Sequence, residues 1–252
     1  MPYFMFNEKK VYYKATGEGE PLLLIHGNAL SSRIFSPVLK YYTDKFRVIL
    51  IDLPGHGKSA RLQTFPRDFW FENSKAVYEL IRHMELPEVN VIGTGGGSLV
   101  ALNLLLEHPD VVKGVIADSF EGTASVASYA ENLHSVREKE KHKFMMKLMW
   151  FRSHGIWWRT VVDQDSDAVY SHHMDIKKFF HKSLSEISRP VLLTGSLEDK
   201  YLGDTIVEIY AELKEVMKGS RSHYFNSGSH PAMLSNSEEF AKIASEFFNA
   251  GK

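Results

Sequence analysis

VNVIGTGGGSLVALNLLLEH, residues Val89–His108, is the stretch on which the reading of the whole chain turns. A β-branched run, Val89, Val91 and Ile92, leads into Gly93-Thr94-Gly95-Gly96-Gly97. Leu99, Val100, Leu102, Leu105 and Leu106 follow at helical spacing, and His108-Pro109 stops the helix. A strand that passes through a few glycines straight into a helix makes a sharp turn, and Gly95 stands at the middle of it.

Outward from this turn the pattern is strand, loop, helix. Tyr3–Phe6 and Lys10–Lys14 flank Asn7-Glu8 as an opening hairpin. Leu22–His26 is a continuous apolar run, the mark of a strand buried on both faces of a parallel sheet. It ends in His26-Gly27-Asn28-Ala29. Helical spacing over Ile34–Tyr42 precedes a second buried strand, Phe46–Ile51, which ends in the loop DLPGHGKS, residues 52–59. Trp70–Met84 has an amphipathic helical pattern, and Val112–Ala117 is a further strand, followed by Asp118-Ser119. After a long interval the pattern resumes at Pro190–Thr194 with Gly195-Ser196-Leu197-Glu198-Asp199. Then come a helix at Thr205–Lys218, a strand at Ser222–Phe225, the loop NSGSHP and a last helix at Asn236–Asn249, capped by Ser235 or Asn236. Strands joined by helical crossovers lie parallel, so the fold class is α/β, a mostly parallel sheet of about eight strands with helices on both faces.

The interval, residues 123–188, contains no strand pattern and reads as a helical insertion between the two core segments 1–122 and 189–252. It carries six of the twelve histidines and three of the four tryptophans. Met145, Met149, Trp150, Trp157 and Trp158 are large or adaptable apolar surfaces, and they are the candidate walls of a mainly hydrophobic pocket.

Composition narrows the function classes. A length of 252 residues, 44% hydrophobic and 24% charged, suits a globular enzyme core with an insertion. A net charge of -1 gives no reason to expect nucleic acid or an anionic membrane as partner. With no cysteine there is no disulfide, thiolate metal site or thiol nucleophile. No metal is expected either: His172-His173 diverge on a helix, His142 sits among lysines, and no H-E-x-x-H pattern occurs. The glycine turn is not G-x-G-x-x-G and lacks the lysine of a P-loop, so no nucleotide cofactor is expected. The N-terminus lacks the basic and apolar regions of a signal peptide and no apolar run is long enough to span a bilayer, so a cytoplasmic location is expected.

Four loops at strand ends should converge in space, since ligands of open α/β sheets bind outside the carboxyl ends of the strands. In order these are His26-Gly27-Asn28, the Gly95 turn, the acids near Asp199, and His230. Together LLLIHGNA, IDLPGHGKS, the glycine turn, PVLLTGSLED and GSHPAML resemble the α/β-hydrolase superfamily, in its small-molecule branch with a helical lid. The resemblance implies a nucleophile elbow, G-x-S-x-G, with Gly93 and Gly97 as its outer glycines and Gly95 at the position of the serine. It makes His230 the general base, Asp199 its acid (with Glu198 and Asp118 as alternatives), and the amides of Asn28 (or Ala29) and Gly96 the oxyanion hole. Ser98 lies a helical turn away and Thr94 points to the other side, so neither replaces the missing hydroxyl. The implied function is a serine-type hydrolase of a small, mainly hydrophobic ester, lactone or amide, inactive or nearly so because residue 95 is glycine. The alternative is a non-catalytic protein of the same fold that binds a small ligand or partner in its covered pocket.

Overall fold

The computed structural model describes residues 2–203 and 205–250; Asp204 and the outermost residues of the expected core, Met1 and 251–252, lie outside them. Eight strands form one sheet: β1 Tyr3–Phe6, β2 Lys9–Thr16, β3 Glu20–Ile25, β4 Phe46–Ile51, β5 Val89–Thr94, β6 Val112–Asp118, β7 Val191–Ser196 and β8 Arg221–Phe225. Their spatial order is β1-β2-β4-β3-β5-β6-β7-β8. β1 pairs antiparallel with β2, and β2 with β4; every later pairing is parallel. The short Asn7-Glu8 connection reverses the chain between β1 and β2, residues 17–19 reverse it again before β3, and the long crossovers impose the parallel remainder.

Apolar side chains on alternate faces of the central strands fill two cores. Leu23, Ile25, Val91 and Val115 face a layer containing α1 (Phe69–His83) and α2 (Gly96–Glu107). Leu22, Leu24, Ile92 and Ile116 face the C-terminal helix, Ser237–Asn249, through Phe240, Ala244 and Phe248. α2 is buried on every side from Gly96 to Leu106, which explains why its sequence is apolar all round rather than striped. Asn236 occupies the N-cap of the C-terminal helix, with its side-chain amide turned to the Ser227 carbonyl instead of capping. The region expected as a helix over 34–42 is instead two 3₁₀ turns, Ser32–Phe35 and Leu39–Tyr41. Pro37 between them has no N–H to continue a helical ladder.

Between β6 and β7 stand three helices: α3 Ala127–Glu140, α4 Phe144–His154 and α5 Trp158–Asp175. They meet the loops that leave β3 and β4, where Asp165 of α5 accepts the Ala29 N–H at 2.7 Å and His154 of α4 reaches the Ala29 carbonyl at 3.0 Å.

Candidate functional site

The turn after β5 is shaped by close approach. A Cβ on Gly93 would stand 2.2 Å from the Gly97 carbonyl oxygen, and one on Gly97 would stand 2.3 Å from that of Ile25. Neither position accepts a side chain, because α2 crosses its own strand and β3 at backbone contact. Gly95 differs. Its φ of 52° and ψ of -123° are a conformation that side-chain-bearing residues rarely adopt, yet the space at its Cβ position is open to one side. The nearest atom to that position is Nε2 of His230, at 3.2 Å. Gly95 is tied down by its N–H, which donates to the Asp118 carbonyl at 2.8 Å, and by its carbonyl, which accepts from Ser98 N–H at 2.9 Å.

His230, in the loop after β8, faces Gly95 with one ring nitrogen and an acid with the other. Its Nδ1 lies 2.8 Å from Asp199 Oδ2. The carboxylate of Asp199 is fully buried and its second oxygen accepts Tyr201 N–H at 2.8 Å. Burial pushes the Asp199 carboxyl up, but the hydrogen bond and charge of His230 more than offset it and hold the group below its ordinary value. Tyr201 also packs edge-on against the imidazole, with ring centroids 5.2 Å apart.

The two other acids weighed for this position have different partners. Glu198 turns away and its Oε2 accepts from Gly228 N–H at 3.4 Å. Asp118 is completely buried and receives Thr194 Oγ1 at 2.9 Å, Ser119 Oγ at 3.1 Å and Met233 N–H at 3.0 Å. Burial raises its pKa to about 6 against those bonds. Ser119 Oγ in turn accepts Ala232 N–H at 3.0 Å, so this pair anchors the segment just after His230. Ser98 is buried and donates its hydroxyl to the Gly93 and Asp118 carbonyls at 2.8 and 3.0 Å, and Thr94 is buried as well.

On the other side of the turn, Asn28 and Gly96 come together. The Asn28 side-chain oxygen lies against Gly96, so close that a Cβ there would meet it, and it accepts from Trp70 Nε1 at 3.1 Å. Gly96 opens α2, where the first amides of a helix have no intrahelical acceptor. Ala29, the other candidate in this loop, has its N–H directed to Asp165 and cannot aim it at a ligand beside Gly95.

Sequence reasoning did not find the group that holds this loop. Asp165, wholly buried, accepts Ala29 N–H and lies 3.2 Å from His56 Nε2 through one oxygen, and takes Arg137 Nη1 at 2.7 Å through the other. Burial raises its carboxyl, but Arg137 and His56 outweigh that and hold it well below the usual carboxylate range. His154 bridges the two loops, accepting Gly57 N–H on Nδ1 at 3.0 Å and meeting the Ala29 carbonyl with Nε2. His26 accepts Leu53 N–H on Nε2 at 3.0 Å and meets the Gly27 carbonyl with Nδ1 at 2.9 Å. Each ring therefore uses one nitrogen as acceptor and must be neutral. Burial first, and the neighbouring His56, lower His26 to about 4 and His154 to about 3. One signal for Asp165 was available: it shares a helix face with Val161, Val162, Ala168 and Val169, where an unpaired acid would be prohibitively costly.

The five residues expected to wall a pocket divide. Trp150 and Trp158 stack on each other with centroids 5.8 Å apart and form a small core with Ala29 and Val162, against which Met149 packs. Met145 and Trp157 are 71% and 54% exposed and stand on the outer surface instead. Large apolar residues in the insertion thus serve its attachment, its exterior or, for Met145 and Met149, the wall of a surface cavity whose lining includes neither Gly95 nor His230.

Comparison with known proteins identifies the family of the chain. The alpha/beta hydrolase fold family matches residues 20–153, more than half of the chain, and the chain belongs to that family. It is 35% identical over 113 residues to an (E)-2-((N-methylformamido)methylene)succinate hydrolase of Acinetobacter baylyi, covering 42% of this chain and 40% of that one. It is 30% identical over 149 residues to a pimeloyl-[acyl-carrier protein] methyl ester esterase of Chromobacterium violaceum, covering 54% and 56%. The matches thus span about half the length of these relatives. The solved structure of an N-acyl homoserine lactone degrading enzyme superposes with a TM-score of 0.76 at 20% identity, over 98% of this chain and 100% of that one, a likeness of fold. Among the described residues no helix is long and apolar enough to cross a membrane.

Proposed function

We propose that this chain carries the acid–base and oxyanion parts of a serine-hydrolase site without the nucleophile, so that it turns over little or no substrate. The observation that carries the reading is the placement of Gly95: a Cβ there would lie 3.2 Å from His230 Nε2, whose other nitrogen is bonded to Asp199. In this reading His230 is the general base, Asp199 holds its tautomer and balances the imidazolium, and the amides of Asn28 and Gly96 receive the developing oxyanion. Glycine has no atom that can form an acyl-enzyme. The helices α3–α5 act as a lid over the site. The substrate class is a small, mainly hydrophobic ester, lactone or amide; relatives whose names describe a methyl ester esterase and a formamido-succinate hydrolase support the bond type, not the hydrophobic character.

The test is Gly95→Ser, assayed on p-nitrophenyl acetate and butyrate, a lactone and an anilide. Restoring the hydroxyl raises kcat by at least about a thousandfold over the unmodified chain, whose residual rate comes from binding and the oxyanion hole. A Gly95→Ser protein that folds normally and stays inert on the whole panel would defeat the hydrolase reading. The glycine itself favours a second reading, a non-catalytic protein that retains a small ligand in the lidded site. That reading predicts a ligand recovered unchanged after binding, and no product from the serine variant.

A further inference from the structure

α4 is apolar on both sides, and only one side is used by the fold. Its inner face, with Trp150 and the partly buried Met146 and Met149, packs on Trp158, Val162 and Ala29. The outer face carries Phe144, Leu148 and Phe151, at i, i+4 and i+7 along one line, with Met145 beside them. Phe144 is 75% exposed, and the 3₁₀ turn that follows puts Ile156 at 80% exposure next to the half-exposed Trp157. Monomeric proteins seldom leave so many large apolar side chains together in water, and such patches mark interaction surfaces.

Charge around the patch selects its partner. From Lys141 to Arg159 the sequence holds five Lys or Arg and no Asp or Glu, although the chain as a whole has a net charge of -1. Lys141 is paired with Glu138 and Asp163, and Lys143 stands 3.9 Å from Glu140. Lys147 and Arg152 have no ion pair among the described residues, and helical spacing sets one on each side of the Phe144–Leu148–Phe151 line. Arg33, exposed, donates to the Arg152 carbonyl, and a cavity of about 520 Å³ opens between Arg33, Ile34, Pro37 and the Leu148 and Arg152 side of α4.

We infer that α4 and the turn at Ile156-Trp157 dock on the surface of a bilayer containing anionic lipid. An apolar ridge with aromatic and aliphatic side chains, flanked on both sides by long basic side chains, matches the layering of acyl chains beneath phosphate headgroups. The cavity beside it sets two arginines among the apolar Ile34, Pro37, Met145 and Leu148, a lining suited to a phosphate and the start of the chain below it. A second copy of the chain fits less well, since a twofold contact through this face would set Lys147 and Arg152 against their own counterparts. The overall net charge conceals the feature, because the nearest acids, Glu138, Glu140 and Asp163, pair with Lys141 and Lys143 and leave Lys147 and Arg152 unmatched among the described residues.

Co-sedimentation of the full chain with vesicles tests the inference. One vesicle set is phosphatidylcholine alone and the other equal parts phosphatidylcholine and phosphatidylglycerol, with soluble polyglutamate as a competitor and gel filtration in parallel. The protein partitions onto the anionic vesicles at least about tenfold better than onto the neutral ones, and added salt weakens the binding. Lys147→Glu with Arg152→Glu lowers the partition by at least about tenfold. Phe144→Ser with Trp157→Ser also lowers it, with circular dichroism and Tm unchanged because these side chains are exposed. The inference is overturned by any of three results: no binding to the anionic set, equal partition of native and substituted proteins, or capture by polyglutamate without vesicle binding, which would point to an acidic protein. A concentration-dependent dimer, lost in Phe144→Ser and accompanied by no vesicle binding, would assign the face to a second copy instead.

Discussion

Two clusters of histidine and acid flank the turn at Gly95, and they are built differently. Around Ala29 the groups are saturated: Asp165, Arg137, His56, His154 and His26 are all buried, and each is bonded to backbone of a neighbouring loop or to another member. Around Gly95 the arrangement is open: the His230 side chain is 27% exposed, bonded to Asp199 on one nitrogen, and its other nitrogen faces a residue with no side chain. The first cluster has the features of a structural clamp, in which a lost partner leaves a buried charge uncompensated. The second has those of a reaction site, in which a titratable group is held ready beside unfilled space. The clamp ties the helical insertion to the loops after β3 and β4, whereas the open site is built from sheet loops alone.

The sharpest way to break this comparison is to install a hydroxyl at residue 95 and then remove each acid. In the Gly95→Ser background, Asp199→Asn lowers kcat by about 10⁴-fold, because the imidazole then takes the wrong tautomer. Glu198→Gln, whose partner is the Gly228 amide, leaves kcat within a few-fold, and steady-state kinetics distinguishes the two. Equal losses would mean that the acid is shared.

The clamp is tested through stability. Asp165→Ala leaves Arg137 buried without its carboxylate and frees the Ala29 amide, at a cost of about 3–5 kcal/mol measured by urea denaturation. A loss below about 1 kcal/mol would contradict the clamp.

Acid should act on the same cluster. His26 and His154 are neutral when folded, with pKa values lowered from 6.5 to about 4 and about 3, while the unfolded chain binds protons below 6.5. Stability is therefore complete above pH 6.5 and is lost as pH falls toward 4. Asp118 works in the opposite direction: its carboxyl is raised from 3.8 to about 6, so protonation favours the fold as pH falls through that value. Two histidines outweigh one carboxylate, and the net loss is on the order of a few kcal/mol, seen as a fall in Tm of roughly 5–10 °C. His154→Gln makes that fall shallower.

The smallest expected effect sharpens the contrast most. A serine at residue 95 must adopt φ 52° and sit 3.2 Å from His230, so Gly95→Ser costs about 1–3 kcal/mol even as activity rises. Thermal unfolding would show Tm lower by roughly 3–8 °C in the more active protein.

Why one cluster was legible in the sequence and the other was not follows from chain geometry. The residues near Gly95 sit at ends of apolar strands, and strand ends of a parallel sheet converge; Gly95, Asp199 and His230 could each be named from a short local pattern and the family resemblance it carries. The choice between Asp199 and Glu198 needed the turn itself, in which Asp199 N–H closes on the Ser196 carbonyl and directs its carboxylate to the imidazole. The clamp joins Ala29 to Asp165 and Gly57 to His154, residues 136 and 97 positions apart, and although Asp165 shares a helix face with Val161 and Ala168, nothing local says which loop that face meets. By contrast, the break in Ile34–Tyr42 was legible: Pro37 stands in the middle of the helical spacing, and the spacing alone overlooks it.

On the proposed reading the site lacks only one hydroxyl, and covalent labelling addresses that most directly. The unmodified chain and Gly95→Ser, each with and without His230→Ala, are incubated with a fluorophosphonate and the mass of the peptide spanning residues 89–108 is measured. The account predicts a single phosphonyl adduct on that peptide in Gly95→Ser alone, lost when His230 is removed. Labelling of the unmodified chain at another residue, or a folded Gly95→Ser protein that resists the reagent, would contradict it.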